Sequence, residues 1–289
     1  MKPALFEYVA PRSVEEALDA LAGDEMARPL AGGQSLIPTM NFRIAAPSTL
    51  VDLRRIGALE ARAVEGDVIR VGAMTRQRDL ERDEAVRRAN PLIAEVLGNV
   101  AHIVIRNRGT VGGSIAHADA AAELPCMLVA TGGSVVARST GGERTIAAEE
   151  LFLFHMTTAL EPGELLTEVR IPALPPRTGY AFQEVARRHG DYALAGVCAL
   201  VTLRDGVCSA VRLAACGIAS KPTRLAAAET ALLGAPPEGE ALADAAEAAR
   251  ECVTAGDDRQ AGLDYRSDLV AALVRRTVAK AAGRVEGRA

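Results

Sequence analysis

Two short segments carry the residue types that hold a phosphate without a metal. The first is Ala31-Gly32-Gly33-Gln34-Ser35-Leu36-Ile37-Pro38. The second is Gly109-Thr110-Val111-Gly112-Gly113-Ser114-Ile115, with Asp119 shortly beyond it. Paired glycines let backbone amides approach a ligand and point at it together, and Ser35, Thr110 and Ser114 add hydroxyl donors. Read alone, each segment is a tight turn, because Gly-Gly-Ser and Gly-Ser are common loop elements. Two such loops, each flanked by hydroxyls and each entering an apolar segment, fit a diphosphate-containing ligand, since two phosphates need two sets of donors.

Other nucleotide and catalytic signatures are absent. No two glycines stand two positions apart, which removes the dinucleotide fingerprint, and no Gly-Lys-Ser/Thr occurs, which removes the P-loop. A Gly-x-Ser-x-Gly nucleophile elbow is also missing. The five cysteines, Cys126, Cys198, Cys208, Cys216 and Cys252, are spread out with no Cys-x-x-Cys among them, so they read as reduced thiols and not as cluster ligands. His102, His117, His155 and His189 fall at no zinc spacing. The expectation is a chain without a metal site of its own.

The elements that must position the two loops follow from periodicity. Ser13 with Glu16 three residues on, ahead of Val14, Ala17, Leu18 and Leu21 on one face, predicts a capped helix that Gly23 ends. Pro29–Ala31, Leu50–Leu53 and Val68–Val71 are short apolar runs bounded by Gly, Pro or charge, hence strands. Residues 79–89 have a charged helical pattern, and 91–100 restart as a helix with Leu92, Ile93, Val96 and Leu97 inward. Residues 121–130 read as a buried helix, 135–137 and 144–146 as a hairpin about Gly141-Gly142, and 164–171 as a strand. Pro172 to Gly179 holds three prolines and suits a linker, so a domain boundary is expected there. Beyond it, residues 194–203 and 207–215 flank an Asp205-Gly206 turn as antiparallel strands, and three helical stretches follow, an α+β module.

With 289 residues, 49% of them hydrophobic and 24% charged, the chain suits a soluble globular protein. A net charge of -4 argues against a nucleic-acid binder, which needs a concentrated basic face. Met1 to Tyr8 lacks a basic segment followed by an unbroken apolar run, and no stretch approaches the roughly 20 apolar residues that cross a bilayer. A cytoplasmic protein is expected.

Longer motifs then recur in a fixed order: LAGGQSLIP from Leu30 with Arg43 beyond, LVDLR from Leu50, GAMT from Gly72, RNRGTVGGSIAHADAAAELP from Arg106, PGELLTEVRIP from Pro162 and RRHGDYALAG from Arg187. They resemble the flavin-binding medium subunits of molybdenum hydroxylases of the carbon monoxide dehydrogenase and quinoline oxidoreductase type. The resemblance runs from Phe6-Glu7-Tyr8 to Tyr265-Arg266 and Arg275-Arg276, effectively the whole chain. It implies an α+β fold: an FAD-binding domain of two α/β subdomains over 1–176, followed over 177–289 by a C-terminal domain of antiparallel sheet plus helices.

By that resemblance Ala31, Gly32, Gly33, Gln34, Ser35 and Leu36 line the FAD diphosphate from one side, with Thr110, Gly112, Gly113 and Ser114 as the second loop. Asp119 accepts a hydrogen bond from the ribityl chain, and Tyr192 sits over the isoalloxazine ring. From the residues alone, Asp119 reads equally as a helix cap and Tyr192 as a half-buried strand residue. Related sequences often carry Pro where this chain has Ala120, and some carbon monoxide dehydrogenases carry His where it has Gln34, a difference that leans toward relatives oxidising organic substrates. His117 is the candidate for a covalent flavin link, but a non-covalent FAD is expected. Arg106 and Arg108 read as solvated or partner-facing.

The resemblance further implies an oxidoreductase subunit. A large partner would hold the molybdenum cofactor and a small partner two iron–sulfur clusters, and this chain would pass their electrons through FAD to an external acceptor. The alternatives are a free-standing FAD-dependent oxidoreductase acting directly on a small organic substrate, and a binding module for another phosphate ligand.

Overall fold

The structure, a computed structural model, describes residues 1–286 except Asp257 and Arg259. It begins with β1 (Glu7–Val9), α1 (Val14–Ala22), β2 (Arg28–Leu30), α2 (Leu36–Asn41) and β3 (Thr49–Asp52). The strands form a parallel sheet in the order β1-β3-β2, with α2 in the crossover between the parallel neighbours β2 and β3 and α1 carrying the chain from one edge strand to the other. The Ser13 hydroxyl accepts from the Glu16 amide at 3.1 Å and so starts α1, while the Glu16 carboxylate reaches back to the Arg12 amide at 2.8 Å, one residue ahead of the cap. Val14, Ala17, Leu18 and Leu21 are buried against Val51, Leu53, Ile56 and Leu59, as the spacing requires.

The chain continues through β4 (Arg62–Glu65), β5 (Val68–Gly72), α3 (Gln77–Arg82), α4 (Glu84–Ala89), α5 (Leu92–Asn99), α6 (Ile103–Arg106), α7 (Val111–His117) and α8 (Glu123–Thr131). It returns through β6 (Ser134–Ser139), β7 (Gly142–Ala147), α9 (Ala148–Leu151), the small hairpin β8 (Phe152–Phe154) and β9 (Thr157–Thr158), and β10 (Leu165–Pro172). The antiparallel order β4-β5-β10-β6-β7 places β10 at the centre, between partners almost one hundred residues and about thirty residues earlier in the chain. The single helix expected over 79–89 is two. Asp83 stands between α3 and α4 at ψ 114, and its side chain accepts from the Ala85 and Val86 amides at 3.0 and 3.1 Å. A carboxylate that caps a new helix competes with continuing the old one.

Residues 173–177 connect β10 to β11 without a regular element. β11 (Thr178–Val185), β12 (Ala195–Arg204), β13 (Val207–Cys216) and β14 (Thr223–Arg224) form an antiparallel sheet in that order, followed by α10 (Ala226–Leu232), α11 (Gly239–Arg250) and α12 (Leu263–Glu286). Asp205 and Gly206 both take positive φ, 53 and 80, the geometry that lets a two-residue turn follow the twist of β12 and β13. β12 is covered on both faces, which explains its unbroken apolar run. Val197, Ala199 and Val201 meet the C-terminal helices, while Cys198 and Leu200 join the core of the preceding domain. Among the described residues no helix is long and apolar enough to cross a membrane.

Candidate functional site

The first glycine segment leaves β2 at Leu30 and enters α2 at Leu36. Gly33 sits at φ +71, a region closed to most side chains. Among the described residues, the backbone N–H groups of Gly32, Gly33, Gln34, Ser35 and Leu36 donate to no protein acceptor. The first amide to be used again is that of Ile37, which donates to the Gly33 carbonyl at 3.2 Å. Residues 31–36 are half-buried, so these donors face an accessible surface. The Gln34 side-chain amide turns back to the Gly32 carbonyl at 3.0 Å and braces the loop. Consecutive unpaired amides are the donor set of an anion, and a diphosphate fits them.

The second segment looks alike in sequence and is built differently. Its amides are already committed: Val111 to the Thr75 carbonyl at 3.0 Å, Gly112 to the Ala73 carbonyl at 2.9 Å, Gly113 to the Thr110 hydroxyl at 3.1 Å and Ser114 to the Thr110 carbonyl at 3.1 Å. Thr110 is thus the cap of α7, and a second set of free amides is not there. The glycines serve close packing instead. A Cβ on Gly112 would lie 2.5 Å from the Ala73 Cβ, and one on Gly113 would lie 2.6 Å from the Thr110 hydroxyl oxygen. What this segment keeps available is the half-buried Ser114 hydroxyl, which makes no hydrogen bond among the described residues.

The two loops touch. A Cβ on Gly32 would lie 2.5 Å from the Arg108 carbonyl oxygen, and the Gly113 position is 3.4 Å from the Ala31 Cβ. After α7 the chain turns at Ala118, φ 51, which brings the buried Asp119 next to the same place. The Asp119 carboxylate accepts from the Ala121 amide at 2.9 Å and closes a turn ahead of α8, whose cap position is Ala122, so Asp119 is not the helix cap that its sequence context also allowed. Tyr192 lies in the connection between β11 and β12, not in a strand. It is 53% exposed, yet its hydroxyl end is inserted beside Ser35 and Asp119. Burial of that end, with the Asp119 and Glu123 carboxylates nearby, pushes the phenol up to about 12. The ring therefore offers a free face while its hydroxyl ties the first loop to the end of the second.

Around these residues, the carboxyls of Glu123 and Glu184 were not singled out from sequence, and the reading of Arg106 is corrected. Arg106 is buried, donating to the Val100 and Ala101 carbonyls at 2.8 and 3.0 Å and to Glu81 at 3.1 Å, so it shapes the corner ahead of the second loop and is not solvated or partner-facing. Arg108 is exposed, as expected. Glu123 and Glu184 lie behind Asp119, with carboxyls pushed up to about 7 and about 8: burial raises both, Asp119 adds to the rise at Glu123 against the field of Arg106, and Glu123 adds to it at Glu184. Glu123 stood in a quoted motif without a role, and nothing marked Glu184. His117, half-buried at the end of α7, is held below the ordinary histidine range by burial, against the opposing field of Asp119. All five cysteines are free, and among the described residues no group of His, Cys, Asp and Glu could hold a metal ion.

With this geometry in place, comparisons with known proteins assign the chain. Residues 4–174 match the family model for the FAD binding domain in molybdopterin dehydrogenase, and residues 180–281 match the CO dehydrogenase flavoprotein C-terminal domain. The chain is 42% identical to the 6-hydroxypseudooxynicotine dehydrogenase complex subunit alpha of Paenarthrobacter nicotinovorans, covering 97% of this chain and 96% of that one. It is 39% identical to the caffeine dehydrogenase subunit beta of a Pseudomonas species, covering 99% and 97%. Among solved structures, carbon monoxide dehydrogenase of Hydrogenophaga pseudoflava superposes with a TM-score of 0.96 at 37% identity, over 98% of this chain and 99% of that one. The family expected from the motifs is the one found: this chain belongs to the FAD-binding medium subunits of the molybdenum hydroxylases.

Proposed function

We propose that this chain carries one non-covalent FAD and, in a complex with a large molybdenum-cofactor subunit and a small iron–sulfur subunit, passes electrons from those clusters to an external acceptor. The observation that carries this reading is the run of unpaired amides from Gly32 to Leu36, set against the second glycine segment in a chain of this family. When bound, the flavin supplies the redox chemistry. Ala31 to Leu36 hold its diphosphate through backbone N–H groups and the Ser35 hydroxyl. Ser114 adds a hydroxyl from the facing wall, where Thr110 caps α7 and Gly112 and Gly113 let the chain come close. Asp119, which uses one oxygen for its turn with Ala121, accepts from the ribityl chain, and the open face of Tyr192 covers the ring. Each residue thereby binds, orients or shields the cofactor. None is placed to act on a carbon substrate.

The subunit reading is favoured over a free-standing oxidoreductase because relatives named as subunits of dehydrogenase complexes align over nearly their whole length. The connection at 173–177, and family models that end at 174 and restart at 180, support a division into a flavin domain over 1–176 and a C-terminal domain over 177–289. The free thiols suit a reducing compartment, and we place the protein in the cytoplasm. The relatives named for nicotine derivatives and caffeine point to an N-heterocyclic substrate for the complex, bound on the large subunit.

Acid precipitation of the purified chain tests the cofactor claim directly. FAD should appear in the supernatant; yellow colour retained in the pellet would mean a covalent link, and a colourless chain indifferent to added FAD would remove the cofactor. The isolated chain should hydroxylate no organic substrate, and turnover by it alone would restore the free-standing alternative.

A further inference from the structure

The buried carboxyls behind the site have no cation. Glu123 is the first residue of α8, only 6% exposed, and among the described residues its carboxylate makes no ion pair and accepts only from its own backbone amide. Glu184 stands on β11 opposite Gly196 of β12, and its Oε2 is buried with no hydrogen-bond partner. α8 packs against β12 and β13, where Glu184 stands beside Gly196, and the field of Glu123 reaches Glu184 across that seam. The groups around them cannot neutralise two charges. Arg106 reaches Glu123 with its field but is committed to Glu81 and to two carbonyls. Glu95 on α5 is occupied by Lys280 and Arg284. The thiols of Cys126, Cys198 and Cys216 are pushed up by burial or by one another, His117 is pushed down, and the phenol of Tyr192 is pushed up, so each of them is neutral at pH 7. Asp119 adds a further negative charge.

Two carboxyls in one dry site, with no counter-ion, cannot both ionise, so one keeps a proton. The pair also borders the flavin side of the molecule: the field of Glu123 reaches Tyr192, and that of Asp119 reaches both Glu123 and Tyr192. Resting on the FAD reading above, we propose that Glu123 and Glu184 form the redox-linked proton site of this subunit, sharing one proton while the flavin is oxidised and taking up another when the flavin gains electrons. The electrons come from the reduced iron–sulfur partner and the proton from solvent water. No bond forms between the pair and the flavin. On reoxidation the electrons pass to the acceptor and the extra proton returns to solvent. The pair thus offsets the negative charge that electron arrival places in a buried region.

The shared proton is testable without cofactor. In the FAD-free chain, infrared spectra should show the C=O stretch of a neutral carboxylic acid that persists well above the ordinary carboxylate range, disappearing in Glu184→Gln and in Glu123→Gln. The stability profile gives a second reading. Both folded-state values, about 7 and about 8, lie above the ordinary glutamate value of 4.5 that holds in the unfolded chain. The folded chain therefore holds more protons between those limits, and its stability should fall as pH rises from about 4.5 to about 8. Either Gln variant should flatten that fall. With FAD bound, the flavin midpoint potential should drop more steeply with pH in the parent than in either variant.

A missing neutral-acid band in the parent would overturn the shared proton. A band present in the parent, with the same potential-against-pH slope in parent and both variants, would overturn the link to the flavin. A chain that took up no FAD would sink the FAD reading and the linkage with it, while the infrared and stability measurements would still report on the proton itself.

Discussion

The two glycine segments are nearly the same text and do opposite work. In the first, after Leu30, the amides from Gly32 to Leu36 are free and the glycine at 33 is needed for its positive φ. In the second, before Ile115, the amides of Val111 to Ser114 are all paired, and the glycine at 112 is needed because Ala73 lies where its side chain would be. One loop is a donor surface; the other is a wall pressed against it. A Gly-Gly-Ser motif therefore states that the backbone must be bare, without stating whether a ligand or another piece of the same chain comes close.

The largest expected effect separates these two uses. Gly112→Ala puts a methyl 2.5 to 2.8 Å from Ala73 atoms, two of them backbone, so one chain must move. Overpacking of this kind costs about 3 kcal/mol, and the midpoint of thermal unfolding should fall sharply in the FAD-free chain. Gly113 is in a similar position, since a side chain there strikes the hydroxyl of the cap residue Thr110, so its replacement by Val should also damage the fold. If Gly112→Ala unfolded at the parent temperature, the packing role assigned to the second segment would be wrong.

Next in size is Gly33→Ala, where space is adequate but φ is not. The nearest atoms to the added methyl are the ends of Ile37 and Leu30 side chains at 3.3 Å, while the backbone stays at φ +71. Left-handed backbone at a non-glycine residue costs about 1–2 kcal/mol, and a loop relaxing away from it would scatter the amides. The chain should remain folded by circular dichroism and bind FAD at least about tenfold more weakly, the ratio that 1.4 kcal/mol represents. Unchanged FAD affinity would show that the free amides face something else.

These two outcomes also mark the limit of what could be read in the sequence. Strand and helix positions were legible because they depend on local spacing: α1, α5, α8, the β6–β7 hairpin and the β12–β13 turn all fall where periodicity and Gly chemistry place them. The break at Asp83 was not legible, because a charged helical pattern does not show that one carboxylate caps a second helix. At the site, residue types and loop positions were legible, and the pairing state of the amides was not. It depends on the carbonyls of Ala73 and Thr75, more than thirty residues before Gly112 and Val111. Glu184 was invisible for the same reason, since its only link to Glu123 is across a sheet and a helix formed by distant segments.

A smaller effect compares like with like, since each loop carries one serine. Ser35 occupies the cap position of α2 but makes no capping bond and meets only the Tyr192 hydroxyl, and the Ser114 hydroxyl is unpaired among the described residues. If both donate to the diphosphate, Ser35→Ala and Ser114→Ala should each weaken FAD binding by about 1 kcal/mol, roughly fivefold, with little change in the stability of the FAD-free chain. An effect in Ser35→Ala alone would confine the diphosphate to the first loop and leave the second segment as packing only.

The smallest effect concerns Tyr192, which joins the two segments through its hydroxyl while keeping a ring face open. An aromatic face stacked on the isoalloxazine contributes on the order of 1 kcal/mol beyond burial. Tyr192→Ala should therefore weaken FAD binding several-fold and let oxygen reoxidise the reduced flavin faster. Tyr192→Phe keeps the face and removes only the hydroxyl beside Ser35 and Asp119, so its FAD affinity should stay close to the parent's. If the hydroxyl bridge holds the first loop in place, however, Tyr192→Phe should weaken binding as much as Tyr192→Ala does. Titrating FAD into both apo variants and following reoxidation decides between a ring that covers the cofactor and a hydroxyl that aligns the loops. Unchanged affinity and unchanged reoxidation in Tyr192→Ala would remove this residue from the site.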